Sequence, residues 1–131
     1  QATAVGQYLS EANISFDLVM VSPYKRTQQT ANKVLDKFPL VKRIESSNFT
    51  PESSVAVAQE SLKAAGDKNI LLISHLPLVA NLAGYLTADD SASRGQHWSA
   101  ATIACLRGDD FLPSCMTVQW IKSPNELVEK L

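Results

Sequence analysis

The sequence lacks the motifs that announce most ligands. No G-x-x-x-x-G-K-S/T loop and no G-x-G-x-x-G fingerprint occurs, so nothing in it is shaped to cradle a nucleoside triphosphate or a dinucleotide. Only 2 histidines and 2 cysteines are present in 131 residues, without metal-ligand spacing, and no metal or other cofactor is expected. Neither sign of charge dominates: 12 Lys plus Arg stand against 13 Asp plus Glu. No global field therefore draws a nucleic acid or an anionic membrane, and any anion site must be local. No apolar run approaches the roughly 20 residues that cross a bilayer, and no signal-peptide pattern opens the chain. These absences describe a soluble, cytoplasmic protein in which Cys105 and Cys115 are reduced core thiols.

What is present is a regular alternation. The length suits one domain over residues 1–131. The opening "QATAVGQYLSEA" already lies inside a helical pattern, with Ala2, Val5, Leu9 and Ala12 on one face and no cap or initiating methionine before them. Something is expected to have preceded it. "FDLVMV" (Phe16 to Val21) reads as a buried strand. The helix after it has Thr27, Ala31, Val34, Leu35 and Phe38 as its inner stripe, Pro23 at its first position and Ser22 as its cap. "LVKRI" (Leu40 to Ile44) reads as an edge strand and "ESSNFTPESS" as a loop. A helix from Ser54 to Ala65 stops at Gly66, "ILLIS" is a second buried strand, and a helix bearing Leu78, Val79, Leu82, Ala83 and Leu86 follows. "TADDSASRGQ" (Thr87 to Gln96) is the expected mobile loop, before two late strands, "ATIACL" and "CMTVQWI". Strands alternating with helices predict an α/β fold of three layers, α/β/α, with a mostly parallel central sheet.

In a parallel sheet all strand carboxyl ends share one edge, so two segments distant in sequence meet there. One reads Ser22-Pro23-Tyr24-Lys25-Arg26-Thr27, the other Ser74-His75-Leu76-Pro77. Each closes its strand with serine and carries a cationic or titratable side chain into the first turn of a helix. Outward-pointing backbone N–H groups and the helix dipole favour an anion at such a place, and arginine adds a planar fork of donors suited to phosphate oxygens. Singly, Arg26, Lys25 and His75 read as surface or rim residues; their coincidence at one edge points to a ligand. Two cationic groups without a carboxylate beside them repel unless an anion lies between, so a phosphate or similar oxyanion is expected between Arg26 and His75. His97, in a loop beside Trp98, and the pair Asp89 and Asp90 read as ordinary loop residues.

These residues resemble a family. "VMVSPYKRTQQTA" resembles the strand-S-P-x-x-R-A/T-x-Q-T-A segment of the histidine phosphatase superfamily, the phosphoglycerate mutase-like group. "ILLISHLPLVANLAGYL" resembles its strand-S/G-H segment, in the form typical of the phosphohistidine phosphatase branch called SixA. "NFTPESS" and "SAATIACL" are similar to the branch's T-P loop and late strand. The resemblance implies phosphoryl transfer through a transiently phosphorylated histidine, with arginines and a second histidine holding the phosphoryl oxygens. On the matching positions Arg26 is the second arginine and His75 the second histidine, both catalytic and phosphate-binding. Ser22 and Ser74 are supporting phosphate-binding donors.

The family's R-H-G triplet, which holds the attacking histidine and the first arginine on a strand before the first helix, has no counterpart here. The nearest imitation, Arg94-Gly95-Gln96-His97, has neither the order nor the strand. The expectation is an N-terminally incomplete representation of a longer enzyme, inactive as given, with a central strand missing from its sheet. Glu45, Glu52 and Glu60 read as surface residues and none as a general acid, which suits a substrate whose leaving group departs readily, as protonated imidazole does. Short loops imply a shallow pocket and a phosphohistidine displayed on a protein. The implied partner is a histidine phosphotransfer domain in signal transduction; the alternatives are a phosphatase of small phosphomonoesters and a noncatalytic phosphate-binding module.

Overall fold

Leu18, Val19, Met20 and Val21 have no polar side-chain atom to satisfy, and the chain buries all of them as strand β1 (Leu18–Val21). In the computed structural model, which describes residues 1–66, 68–88, 98 and 102–123, β1 is the centre of a three-stranded parallel sheet. It lies between β2 (Lys42–Glu45) and β3 (Ile70–Ile73). Leu18 pairs with Lys42 and Ile70, and Val21 with Glu45 and Ile73. A strand with neighbours on both edges and layers on both faces must be apolar throughout. Charged β2 can only be an edge.

Alternate residues of β1 feed two cores. Val19 and Val21, with Ile73, pack on Val5 and Leu9 of α1 (Ala2–Glu11) and on Ala31 and Val34 of α2 (Lys25–Val34). Leu18 and Met20 pack on Ala58 and Leu62 of α3 (Val55–Ala64), on Leu78, Leu82 and Leu86 of α4 (Leu78–Thr87), and on Phe49. The expected three layers are therefore present, each large side chain contributing on the order of 1.5–3 kcal/mol by burial. α1 and α2 touch at Gly6, where an added Cβ would lie 2.5 Å from the Val34 carbonyl oxygen. Ser54 caps α3 by accepting from the Val57 N–H at 3.1 Å, and Gly66, at φ +85°, turns the chain away after it.

Several details differ from the sequence reading. α2 starts at Lys25, after an extended Tyr24 with ψ 144° and no side-chain cap, so Pro23 precedes the helix and Ser22 does not cap it. The polar loop after β2 contains a 3-10 turn, Ser47–Phe49, whose Phe49 is fully buried. Among the described residues the late strands β4 (Ile103–Gly108) and β5 (Met116–Lys122) pair only with each other, antiparallel, in a separate sheet. Across from them β3 keeps one edge without a strand partner among the described residues, and a small apolar slot of about 100 Å³ lies between, lined in part by Leu71, Ile103 and Cys105. Cys105 is half-buried and Cys115 exposed, both free, so neither is a core thiol; Cys115 lies outside the packed strand, next to a turn residue at φ 62°, Ser114. Asp89, Asp90, Arg94, His97 and most of the expected mobile loop lie outside the described residues. Among the described residues no helix is long and apolar enough to cross a membrane.

Candidate active site at the carboxyl edge

The register that sets Val21 opposite Ile73 brings the next residues, Ser22 and Ser74, to the same edge. Ser22 N–H donates to the Ile73 carbonyl at 3.1 Å, and its side chain is fully buried. There Ser22 Oγ lies 2.8 Å from His75 Nε2, a hydrogen bond between residues 53 positions apart. The predicted meeting of the two junctions is thus a direct side-chain bond. The first junction is locked behind it: Thr27 Oγ1 donates to the Ser22 carbonyl at 2.9 Å and lies 2.7 Å from that of Tyr24, and Gln28 Nε2 donates to Ser22 at 2.8 Å. This network fixes the first turn of α2, from which Arg26 projects, exposed, beside exposed Lys25.

Both serine hydroxyls are bonded within the protein. Ser22 stands behind His75 without access to solvent. Ser74 Oγ donates to the Phe49 carbonyl at 2.5 Å, tying the end of β3 to the Ser47–Phe49 turn. Ser22 is buried against His75 and Ser74 directs its hydroxyl proton to the Phe49 carbonyl, so each hydroxyl already has a protein partner.

Sequence reasoning passed over Glu52. The Tyr24 hydroxyl lies 2.9 and 3.1 Å from the two Glu52 oxygens and donates to the carboxylate, while the Tyr24 ring meets the His75 ring edge-on, centroids 5.1 Å apart. The turn is held by Ser53, whose Oγ accepts from Thr50 N–H at 3.0 Å and donates to Ser47 O at 3.1 Å. The available signal was the T-P turn itself, which folds the residue after proline back toward the first junction.

Electrostatics overturn part of the argument from repulsion. Burial pushes the His75 imidazole below its ordinary value; Glu52 opposes that shift and Arg26 adds to it. The shift favours the uncharged imidazole, and a carboxylate does stand in its field, so Arg26 and His75 do not require an anion merely to coexist. Glu52 is held below the usual range by its hydrogen bond from Tyr24, and Tyr24 is raised by the same bond. An imidazole ring and a guanidinium remain, a combination suited to a phosphoryl group.

Among the described residues no group of three or more His, Cys, Asp or Glu side chains could hold a metal. The site is open. A broad concavity on the outer face of α3, lined by Ala56, Val57 and Glu60 among others, and the slot between β3 and β4 include neither His75 nor Arg26 in their linings.

Residues 1–48 match the family profile of the histidine phosphatase superfamily (branch 1). The sequence is 38% identical over 89 residues to the phosphohistidine phosphatase SixA homolog of Haemophilus influenzae, covering 61% of this chain and 53% of that protein. It is 32% identical over 93 residues to phosphohistidine phosphatase SixA of Escherichia coli K12, covering 68% and 55%. The structure superposes on that of the protein histidine phosphatase SixA complexed with tungstate with a TM-score of 0.83, at 26% identity, over 97% of this chain and 81% of the other. Sequence and structure both liken the chain to the histidine phosphatase superfamily. Its alignments span about half the length of the curated relatives, 53% and 55%. A histidine phosphatase fold is also what it shares with a phosphoglycerate mutase from Plasmodium falciparum, TM-score 0.73 at 21% identity over 92% of this chain and 79% of that one.

Proposed function

We propose that the protein is a phosphohistidine phosphatase, removing the phosphoryl group from a phosphorylated histidine of another protein through a transient phosphohistidine of its own. The observation that carries this is the joining of two strand ends by Ser22 and His75, at 2.8 Å, in a place where Arg26 is exposed and its charge acts on the same imidazole. Arg26 supplies a fork to two phosphoryl oxygens and His75 a single N–H to a third. Both stabilise charge that grows on the equatorial oxygens as the group transfers. Ser22 and Ser74 act as positioning residues.

The substrate we infer is a histidine phosphotransfer domain of a phosphorelay, in a cytoplasmic setting. An open, shallow edge suits a phosphohistidine that protrudes from a protein surface better than a small phosphomonoester needing enclosure. The ionised state of Glu52 supports the same choice, because an ester leaving group calls for a protonated carboxyl. The 131 residues contain no R-H-G triplet, so the test belongs to the full reading frame. Phosphate release from a phosphorylated phosphotransfer domain should fall by about 100-fold or more in His75→Ala and in Arg26→Ala. Retention of turnover by both variants would sink the proposal. Binding of phosphate without any turnover would instead favour the noncatalytic module.

A further inference from the structure

Glu52 is an exposed hydrogen-bond acceptor linked to His75 through Tyr24 and lying in the imidazole's electrostatic field. Its carboxylate receives the Tyr24 hydroxyl, the ring bearing that hydroxyl lies against His75, and the turn presenting it is bonded through Thr50, Ser53 and Ser47. An ionised carboxylate offers about four lone-pair sites. Tyr24, with the backbone N–H of Glu52 itself and Thr50, uses part of that capacity, and the exposed carboxylate keeps the rest toward solvent at the rim.

We propose that Glu52, oriented by Tyr24, selects a nitrogen leaving group by accepting a hydrogen bond from the distal ring N–H of the phosphorylated imidazole. The idea deepens the phosphatase reading and rests on it. In the protonated phosphoimidazole the ring is cationic. As the nucleophile's bond to phosphorus forms and the P–N bond breaks, the P–N electron pair goes to the ring nitrogen, and the ring departs as neutral imidazole still carrying its distal N–H. A carboxylate on that N–H keeps the proton in place until the bond is broken. Phosphate esters meet the opposite situation: their leaving oxygen gains negative charge and needs a proton, which Glu52 does not hold. The same residue thus favours P–N cleavage and disfavours P–O cleavage, making it a specificity-determining residue, with Tyr24 as its positioning residue.

The test compares full-length wild type, Glu52→Gln, Glu52→Asp and Tyr24→Phe on a phosphohistidine-bearing protein and on an aryl phosphate ester. The ratio of kcat/KM for the two substrates should fall about tenfold in Glu52→Gln, the scale of one charge-assisted hydrogen bond. Glu52→Asp should recover part of it, and Tyr24→Phe should lower it about threefold. A merely structural role lowers both substrates together, so an unchanged ratio overturns the proposal. A second measurement needs no turnover: imidazole is titrated into protein saturated with inorganic phosphate. Weaker imidazole binding by Glu52→Gln than by wild type supports the contact, and equal binding overturns it. A wild type that binds imidazole beside phosphate yet hydrolyses no phosphohistidine would remove the phosphatase reading and leave the Glu52 contact standing; turnover with an unchanged ratio removes the Glu52 contact alone.

Discussion

The two strand-to-helix junctions at the carboxyl edge are built by opposite means. After β1 the chain closes on itself, with Thr27 and Gln28 of α2 reaching back to the Ser22 carbonyl. After β3 no such side-chain network occurs among the described residues: α4 starts from Pro77 without a side-chain cap, and Leu76 is 42% exposed. The second junction is held from outside, by Ser74 on Phe49 and by His75 on Ser22. A self-contained polar network in a poorly solvated place is stiff. The difference teaches that the first junction is a fixed post, and that His75 takes its position by being tied to that post.

The strongest way to break this comparison is to remove the outside support of the second junction. Phe49 is fully buried among Leu18, Leu62 and Leu82, and its carbonyl receives the Ser74 hydroxyl. Phe49→Ala should cost about 3–5 kcal/mol, measured by urea unfolding of the full-length protein. Amide exchange should quicken at residues 74–79 while the first turn of α2 keeps its protection. A loss under about 1 kcal/mol would mean that the 3-10 turn does not anchor β3.

Breaking the first junction should cost less. Thr27 is buried, and its hydroxyl serves two carbonyl oxygens, those of Ser22 and Tyr24. Thr27→Val keeps the shape and deletes the donor, leaving the Tyr24 oxygen without it while Gln28 still bonds Ser22. We expect a loss of about 1–2 kcal/mol and a weaker grip of Arg26 on phosphate, read by calorimetry with inorganic phosphate. If phosphate affinity holds while stability falls, the network supports the fold and not the position of Arg26.

The same contrast explains how far the sequence could be read. β1 and its carboxyl-edge partner were legible because an all-apolar run ended by serine has one physical meaning in an α/β chain, and topology alone places the Arg26 and His75 junctions at one edge. What was hidden depends on side chains arriving from elsewhere. Phe49 is one aromatic in a polar stretch, and its burial is decided by a gap beneath α3 and α4 that no local pattern records. Glu52 reads as a solvated carboxylate until the T-P turn is folded, and only then does it meet Tyr24. Ser22 shows the converse error: a serine before proline at a helix start has the composition of a cap, yet β1 carries it into the interior, where its hydroxyl holds His75.

The smallest expected effect is also the most direct probe of how the post controls the ring. Burial, and then Arg26, depress the His75 pKa, while Glu52 raises it. With the folded value below the unfolded one of about 6.5, the unfolded chain binds more protons between the two values, so stability rises with pH across that window. The contribution from His75 is complete above the unfolded pKa and is lost as pH falls through the folded one. Arg26→Ala removes a cation and should move the ring's titration upward. Glu52→Gln removes an anion and should move it downward. Each shift should be small, since both groups are exposed and screened, and each is readable from the imidazole carbon-bound proton signals. Shifts of the same sign in the two variants would place Arg26 and Glu52 on one electrostatic side of His75, and neither the oxyanion role of Arg26 nor the acceptor role of Glu52 would survive that result.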